Sequence, residues 1–207
     1  MSDCCNCEID TRVLATRQRR ILLVVLAINV VTFVMMVAAS FLSGSSALLS
    51  GTLDNFGDAV TYGLSFAVVG GSVMAKARVA FLKGLMILGA ALAVIFQIGW
   101  RVAHPDVPIV ETMGVAAVLN LAANSVCLYL LSPHKSGDLN MSSAWECSRN
   151  DVIEGGAVIL TTVAVYLLGS AWPDIVVAVV LLGLFLRSAI RVLNAARRAL
   201  SRAPVTV

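Results

Sequence analysis

Two aspartates four residues apart, Asp54 and Asp58, stand in the segment 48–59 (LLSGTLDNFGDA), where little else is charged. On a helix, residues i and i+4 share one face, so both carboxylates project the same way. Two like charges that close repel unless a cation lies between them, and a divalent ion removes the repulsion directly. A second pair lies in the segment 144–154 (AWECSRNDVIE), where Cys147 and Asp151 have the same spacing. Thiolate and carboxylate are both metal ligands. Two facing helices, each contributing one pair, would supply four ligands, the number that zinc-like ions take in tetrahedral geometry.

Blander readings stand beside this one. A buried Asp also serves as a partner for an Arg, and Arg149 lies close to Glu146 and Asp151 in sequence. Asp54 and Asp58 have no cationic residue in their own apolar stretch to neutralise them. Cys147 taken alone reads equally well as a small buried hydrophobe. Glu154, one turn beyond Asp151, reads as an auxiliary ligand, a proton site or a partner of Arg149. Asn29 either lines a cavity or hydrogen-bonds between helices, and the second is the reading for Asn120 and Asn124 too. Asp174 follows Trp172-Pro173 and reads as a first-turn residue favoured by its own helix dipole. His104 and His134 have no partner at ligand spacing and read as solvated. Cys4, Cys5 and Cys7 either capture metal for delivery to the site or belong to a tail without a role.

The elements that must position these groups follow from composition. Of 207 residues, 59% are hydrophobic and 13% charged, with a mean hydropathy of +0.91. A soluble domain carries about 25% charged residues, so lipid is the solvent this chain fits. Roughly 20 apolar residues cross a bilayer, and six such stretches are read at about 20–43, 48–72, 77–100, 113–132, 145–169 and 174–195. The expected fold is an all-α membrane protein of six transmembrane helices. It has a cysteine-containing tail at 1–19, a transport domain at 20–196 and a short tail at 197–207. The first stretch is too long for a signal peptide and lacks a small-residue cleavage site. Short connections favour a compact antiparallel bundle.

Charge distribution sets the topology. Arg12, Arg17, Arg19 and Arg20 precede the first stretch, and Lys76 and Arg78 follow the second. Lys135 follows the fourth stretch, and Arg191, Arg197, Arg198 and Arg202 lie at or after the end of the sixth. The opposite connections hold little beyond Arg101. By the positive-inside rule both termini are cytoplasmic. The net charge of +3 is spread along the chain and is no nucleic-acid signal. Five cysteines, three of them in the reducing cytoplasmic tail, form no disulfide framework. These assignments leave one tension. Asp54 and Asp58 lie toward the outer surface, whereas Cys147 and Asp151 lie nearer the inner end of their helix. Helix tilt, or an extension of the fifth helix starting near Asn140, would bring the two depths together.

The pattern resembles the cation diffusion facilitator family of metal/proton antiporters. The segment 43–50 (SGSSALLS) leading into 53–59 (LDNFGDA) is similar to the family's second-helix Asp-x-x-x-Asp. The segment 148–153 (SRNDVI) occupies the place of its fifth-helix His-x-x-x-Asp, and 172–174 (WPD) with 186–189 (LRSA) resemble its sixth helix. The resemblance implies a transport site of Asp54, Asp58, Cys147 and Asp151, with Asn150, Glu154 and Asn29 as auxiliary candidates. It implies efflux of a divalent cation (Zn, Cd or Co, with Fe or Ni as further candidates) from the cytoplasm in exchange for protons. The partners are then the metal ion, protons and membrane lipid, with no nucleic acid and no cofactor apart from the transported metal. It further implies a homodimer held by membrane contacts in a bacterial inner membrane, and a transporter rather than an enzyme.

Two departures bear on this. Cys147 stands where the family has histidine, and a soft thiolate favours zinc or cadmium over magnesium or manganese; Asn150 is the rival ligand. The chain is also expected to do without the His-rich loop and the C-terminal cytoplasmic domain of most relatives. Two rival functions remain at this stage. A membrane-embedded metal-dependent enzyme, such as a lipid-headgroup transferase, would need basic groups beside the carboxylates. A passive channel would ignore a pH gradient.

Overall fold

In a computed structural model describing residues 16–67, 73–135 and 139–202, the chain forms six helices. They are α1 (Thr16–Ser43), α2 (Ser46–Ala67), α3 (Val73–Ala103), α4 (Val110–Leu131), α5 (Leu139–Leu168) and α6 (Trp172–Arg202). A short 3-10 turn, Ser132–His134, follows α4, and the described residues contain no strand. Cys4, Cys5 and Cys7 lie outside the described residues. The fold is all-helical, and α5 begins at Leu139, about where the depth argument needs an extension.

Among the described residues, three helical stretches are long and apolar enough to cross a bilayer: Gln18–Ser43, Val110–His134 and Ala144–Leu168. Leu88–Ala103 in α3 is a shorter apolar stretch. α2 is not among them, and its sequence shows why. Ser50, Thr52, Asp54, Asn55, Asp58 and Thr61 interrupt its apolar run.

Beside its apolar clusters the bundle buries many polar side chains, while its outer surface is rich in large apolar ones. Phe96, Tyr129, Leu160 and Leu167 are each more than 70% exposed, whereas Asn29, Asn55, Asn124 and Ser148 are at most 1% exposed. Water would oppose this arrangement; lipid accommodates it, because polar groups must then find partners within the protein. α2 packs against α1, α3, α5 and α6 and so holds the centre, while α4 is joined to α1 and α5.

The connections α1–α2, α3–α4 and α5–α6 gather at one end, here the turn end. Gly44 turns the chain with a φ of +71°, a conformation that glycine adopts without steric cost. The Ile109 amide donates to the Ser43 carbonyl at 2.9 Å, tying the α3–α4 connection to this turn. Asp174, fully buried at the start of α6, accepts from Ser45 Oγ at 2.5 Å and from the amides of Ser46 at 2.7 Å and Ala47 at 3.1 Å. The carboxylate therefore caps α2, a neighbouring helix, as well as lying in the first turn of its own. Orphan amides and the positive end of the α2 dipole both favour an anion there.

Candidate metal centre

The chemistry-bearing residues lie between two apolar clusters. Toward the turn end Met36, Leu48, Met113, Ala117 and Val158 pack together. Toward the other end the cluster is Leu22, Val25, Tyr62, Cys127, Leu131 and Ala144. Polar side chains from α2, α4 and α5 fill the layer between them. On α4 the buried positions Asn120, Asn124, Cys127 and Leu131 fall at helical spacing on one stripe. On α5 the corresponding stripe is Cys147, Asp151, Gly155 and Val158. Gly155 matters here, because a Cβ would come within 3.3 Å of Leu121 Cδ1. Its absence lets α5 approach α4 closely.

A small cavity, with room for about one water-sized body, opens in this layer. Its polar wall comprises Asp54, Asn55, Asn120, Asn124, Asp151 and Glu154, with Met36 and Val158 on the apolar side. The carboxyl groups of Asp54 and Glu154 share a hydrogen bond across the α2–α5 interface. Two carboxyls meet at that range only with a proton or a cation between them. Asn55 Nδ2 donates to Asn120 Oδ1 at 2.8 Å. The amide oxygens of Asn55 and Asn124 are buried and make no hydrogen bond within the protein. No lysine or arginine is among the described residues lining the cavity.

One level further from the turn end, Cys127 lies within electrostatic reach of both Asp58 and Asp151. Asp58, Asp151 and Cys147 are buried, at 5%, 7% and 4% exposure. Cys147 lies about one turn beyond Asp151 and does not line the cavity. The four expected ligands thus occupy two levels. Asp54 and Asp151 line the cavity together with Glu154, whereas Asp58 and Cys147 lie about one turn further from the turn end and outside its lining. Among the described residues, no three His, Cys, Asp or Glu side chains are drawn together closely enough to hold a metal ion.

The remaining expected residues are placed as follows. Asn29 is 1% exposed on α1, donates from Nδ2 to the Val25 carbonyl at 3.0 Å, and lies outside the cavity wall. Asn150 is half-buried on α5. Arg149 is exposed, its guanidinium carbon 5.5 Å from the Trp145 ring centroid. His104 is exposed and stacks on Trp100 at 4.2 Å. His134 is half-buried in the 3-10 turn. Cys127 and Asn124 were not foreseen as site residues, although the spacing of Asn120, Asn124 and Cys127 already placed them on one stripe.

Residues 22–201 match the cation efflux transmembrane domain. The chain belongs to this family of membrane transporters, as its resemblance to the cation diffusion facilitators implied. Among curated proteins it is similar to the metal cation efflux system protein CzcD of Cupriavidus metallidurans and the cation efflux system protein CzcD of an Alcaligenes species. Each is 30% identical over 105 residues, which is 50% of this chain and 32% of the relative. The alignment therefore spans about a third of the relatives' length.

Proposed function

We propose that the protein exports a divalent, zinc-like cation from the cytoplasm in exchange for protons, with Asp54, Asp58, Cys147 and Asp151 as its transport ligands. The observation that carries this reading is the set of carboxylates from α2 and α5 meeting around a buried cavity without a basic residue. A structural ion pair needs a cationic side chain; a carboxylate set without one suits a cation that arrives and leaves.

The coupling follows from ligand chemistry. Carboxylate and thiolate bind metal only when deprotonated, so the cation and protons compete for the same atoms. Each cation that binds displaces protons, and each proton that returns helps to release the cation. A helix movement that opens the site to one side and then the other converts this competition into exchange. Asp151 and Glu154, about one turn apart on α5, both line the cavity with Asp54, so a small shift of α5 against α2 would change which of them lies nearer to it. The family supports export of this kind, and the relatives' names specify cation efflux. In this reading both termini are cytoplasmic, the membrane is a bacterial inner membrane, and any homodimer is held by membrane contacts.

The test is uptake of Zn2+, Cd2+, Co2+ and Mn2+ into everted vesicles under a set pH gradient. Asp54→Ala and Asp151→Ala each abolish uptake if they hold the cargo. Undiminished, pH-coupled uptake in either variant removes that residue from the site. Wild-type uptake that ignores the pH gradient replaces the antiporter with a channel.

A further inference from the structure

Two asparagines one turn apart on α4, Asn120 and Asn124, line the same cavity but are bonded differently. Asn120 Oδ1 accepts from Asn55 Nδ2 at 2.8 Å, the interhelical hydrogen bond expected of both residues from the sequence. Asn124 departs from that expectation. It is 1% exposed, and its Oδ1 is buried without a hydrogen bond. A buried amide oxygen in that state costs stability unless a donor or a cation takes its lone pairs. Asn124 shares the cavity wall with Asp54 and Asp151, and a space for about one water-sized body is on the scale of a single ion. The layer is also short of the usual ligands. Among the described residues, no three His, Cys, Asp or Glu side chains come together closely enough to hold a metal ion. A cation held there therefore needs a donor of another type.

We infer that Asn124 supplies an amide-oxygen ligand, from α4, to the cation that Asp54 and Asp151 bind. This rests on the export reading above and deepens it, because α4 then joins α2 and α5 in holding the cargo. An amide oxygen ligates without adding charge and holds no proton that the metal must displace. It strengthens binding without changing the number of protons exchanged. Met36 of α1 brings a thioether to the same cavity. Carboxylate and amide oxygens beside a thioether suit a borderline cation such as Zn2+ or Co2+ rather than Mg2+. The unsatisfied oxygen also sets the sign of the effect on stability. An apolar group of similar size at position 124 leaves the metal-free protein at least as stable and weakens only its hold on metal.

The experiment is thermal unfolding of the purified full chain in lipid nanodiscs, first with a chelator and then with increasing Zn2+. Metal that binds the folded state raises its unfolding temperature. Asn124→Leu should unfold in chelator at or above the wild-type temperature, and should need about tenfold more Zn2+ for the same rise. Asn124→Asp, which keeps an oxygen at that position, should retain the Zn2+ response. Asn124→Ala carries the test if Asn124→Leu does not fold. The Zn2+ response decides. An unchanged response in the variant without the oxygen removes Asn124 from the site, and an equal loss in Asn124→Asp assigns the effect to disturbed packing and removes it too. Failure of the export site itself is distinguishable. If Asp54→Ala and Asp151→Ala lose the response while the Asn124 variants keep it, only Asn124 leaves the site; if all of them keep it, the export site falls as well.

Discussion

At the scale of the residue, the proposed export rests its choice of ion on Cys147. It stands one turn from Asp151, buried and reduced, in the place where the family pattern carries histidine. Sulfur is the softer donor, so Cys147→Ser should shift the competition of Cd2+ against Mn2+ toward Mn2+ by about tenfold, measured as relative uptake in vesicles. Cys147→His restores a borderline ligand and should retain Zn2+ while losing preference for Cd2+. A preference unmoved by both substitutions assigns the fifth-helix ligand to Asn150. The three aspartates were readable without a structure because an ionised group in an apolar stretch costs several kcal/mol and so demands an explanation. Asn124 and Cys127 announce themselves less. They are small and uncharged, bury cheaply, and gain meaning only when α4 places them beside Asp151 and Glu154. The pairing of Asp54 with Glu154 was also beyond sequence reading, since i, i+4 spacing sets faces within a helix but not the register between helices.

At the scale of the element, the start of α2 is held by a side chain from a distant helix. Asp174 reaches from α6 to accept from Ser45, Ser46 and Ala47, more than 120 residues away in sequence. Its place in the first turn of its own helix was evident from Trp172-Pro173; its capping of α2 was not, because nothing local encodes a contact across so long a separation. Removing the carboxylate leaves three buried donors without their acceptor. Asp174→Ala should therefore destabilise the bundle by about 3 kcal/mol, and Asp174→Asn by less, read as a fall in unfolding temperature in detergent. A melting temperature unchanged in Asp174→Ala rejects the cap as a source of stability. Gly44 belongs to the same corner. Gly44→Ala would force a side chain into a positive-φ turn and place its Cβ 3.3 Å from Arg101 Nη1. A loss of about 1–2 kcal/mol is expected in the same melt.

At the scale of the whole molecule, charge and burial together bear on the proposed orientation of the bundle. Among the described residues, the basic residues read as cytoplasmic lie toward the end opposite the turns, where Arg19, Arg20 and Lys135 are exposed. Arg101 is the exception in the sequence, yet it is only 8% exposed. Its Nη2 donates to the Asp106 carbonyl, folding the guanidinium back against the turn at Gly44. A guanidinium so enclosed is a structural part of the turn end rather than a free loop charge. The asymmetry behind the positive-inside argument is then sharper in three dimensions than along the chain. It predicts that Ser170→Cys, in the α5–α6 connection, is labelled by a membrane-impermeant maleimide in intact cells, and that Lys135→Cys is labelled only in everted vesicles. The opposite pattern would invert the bundle.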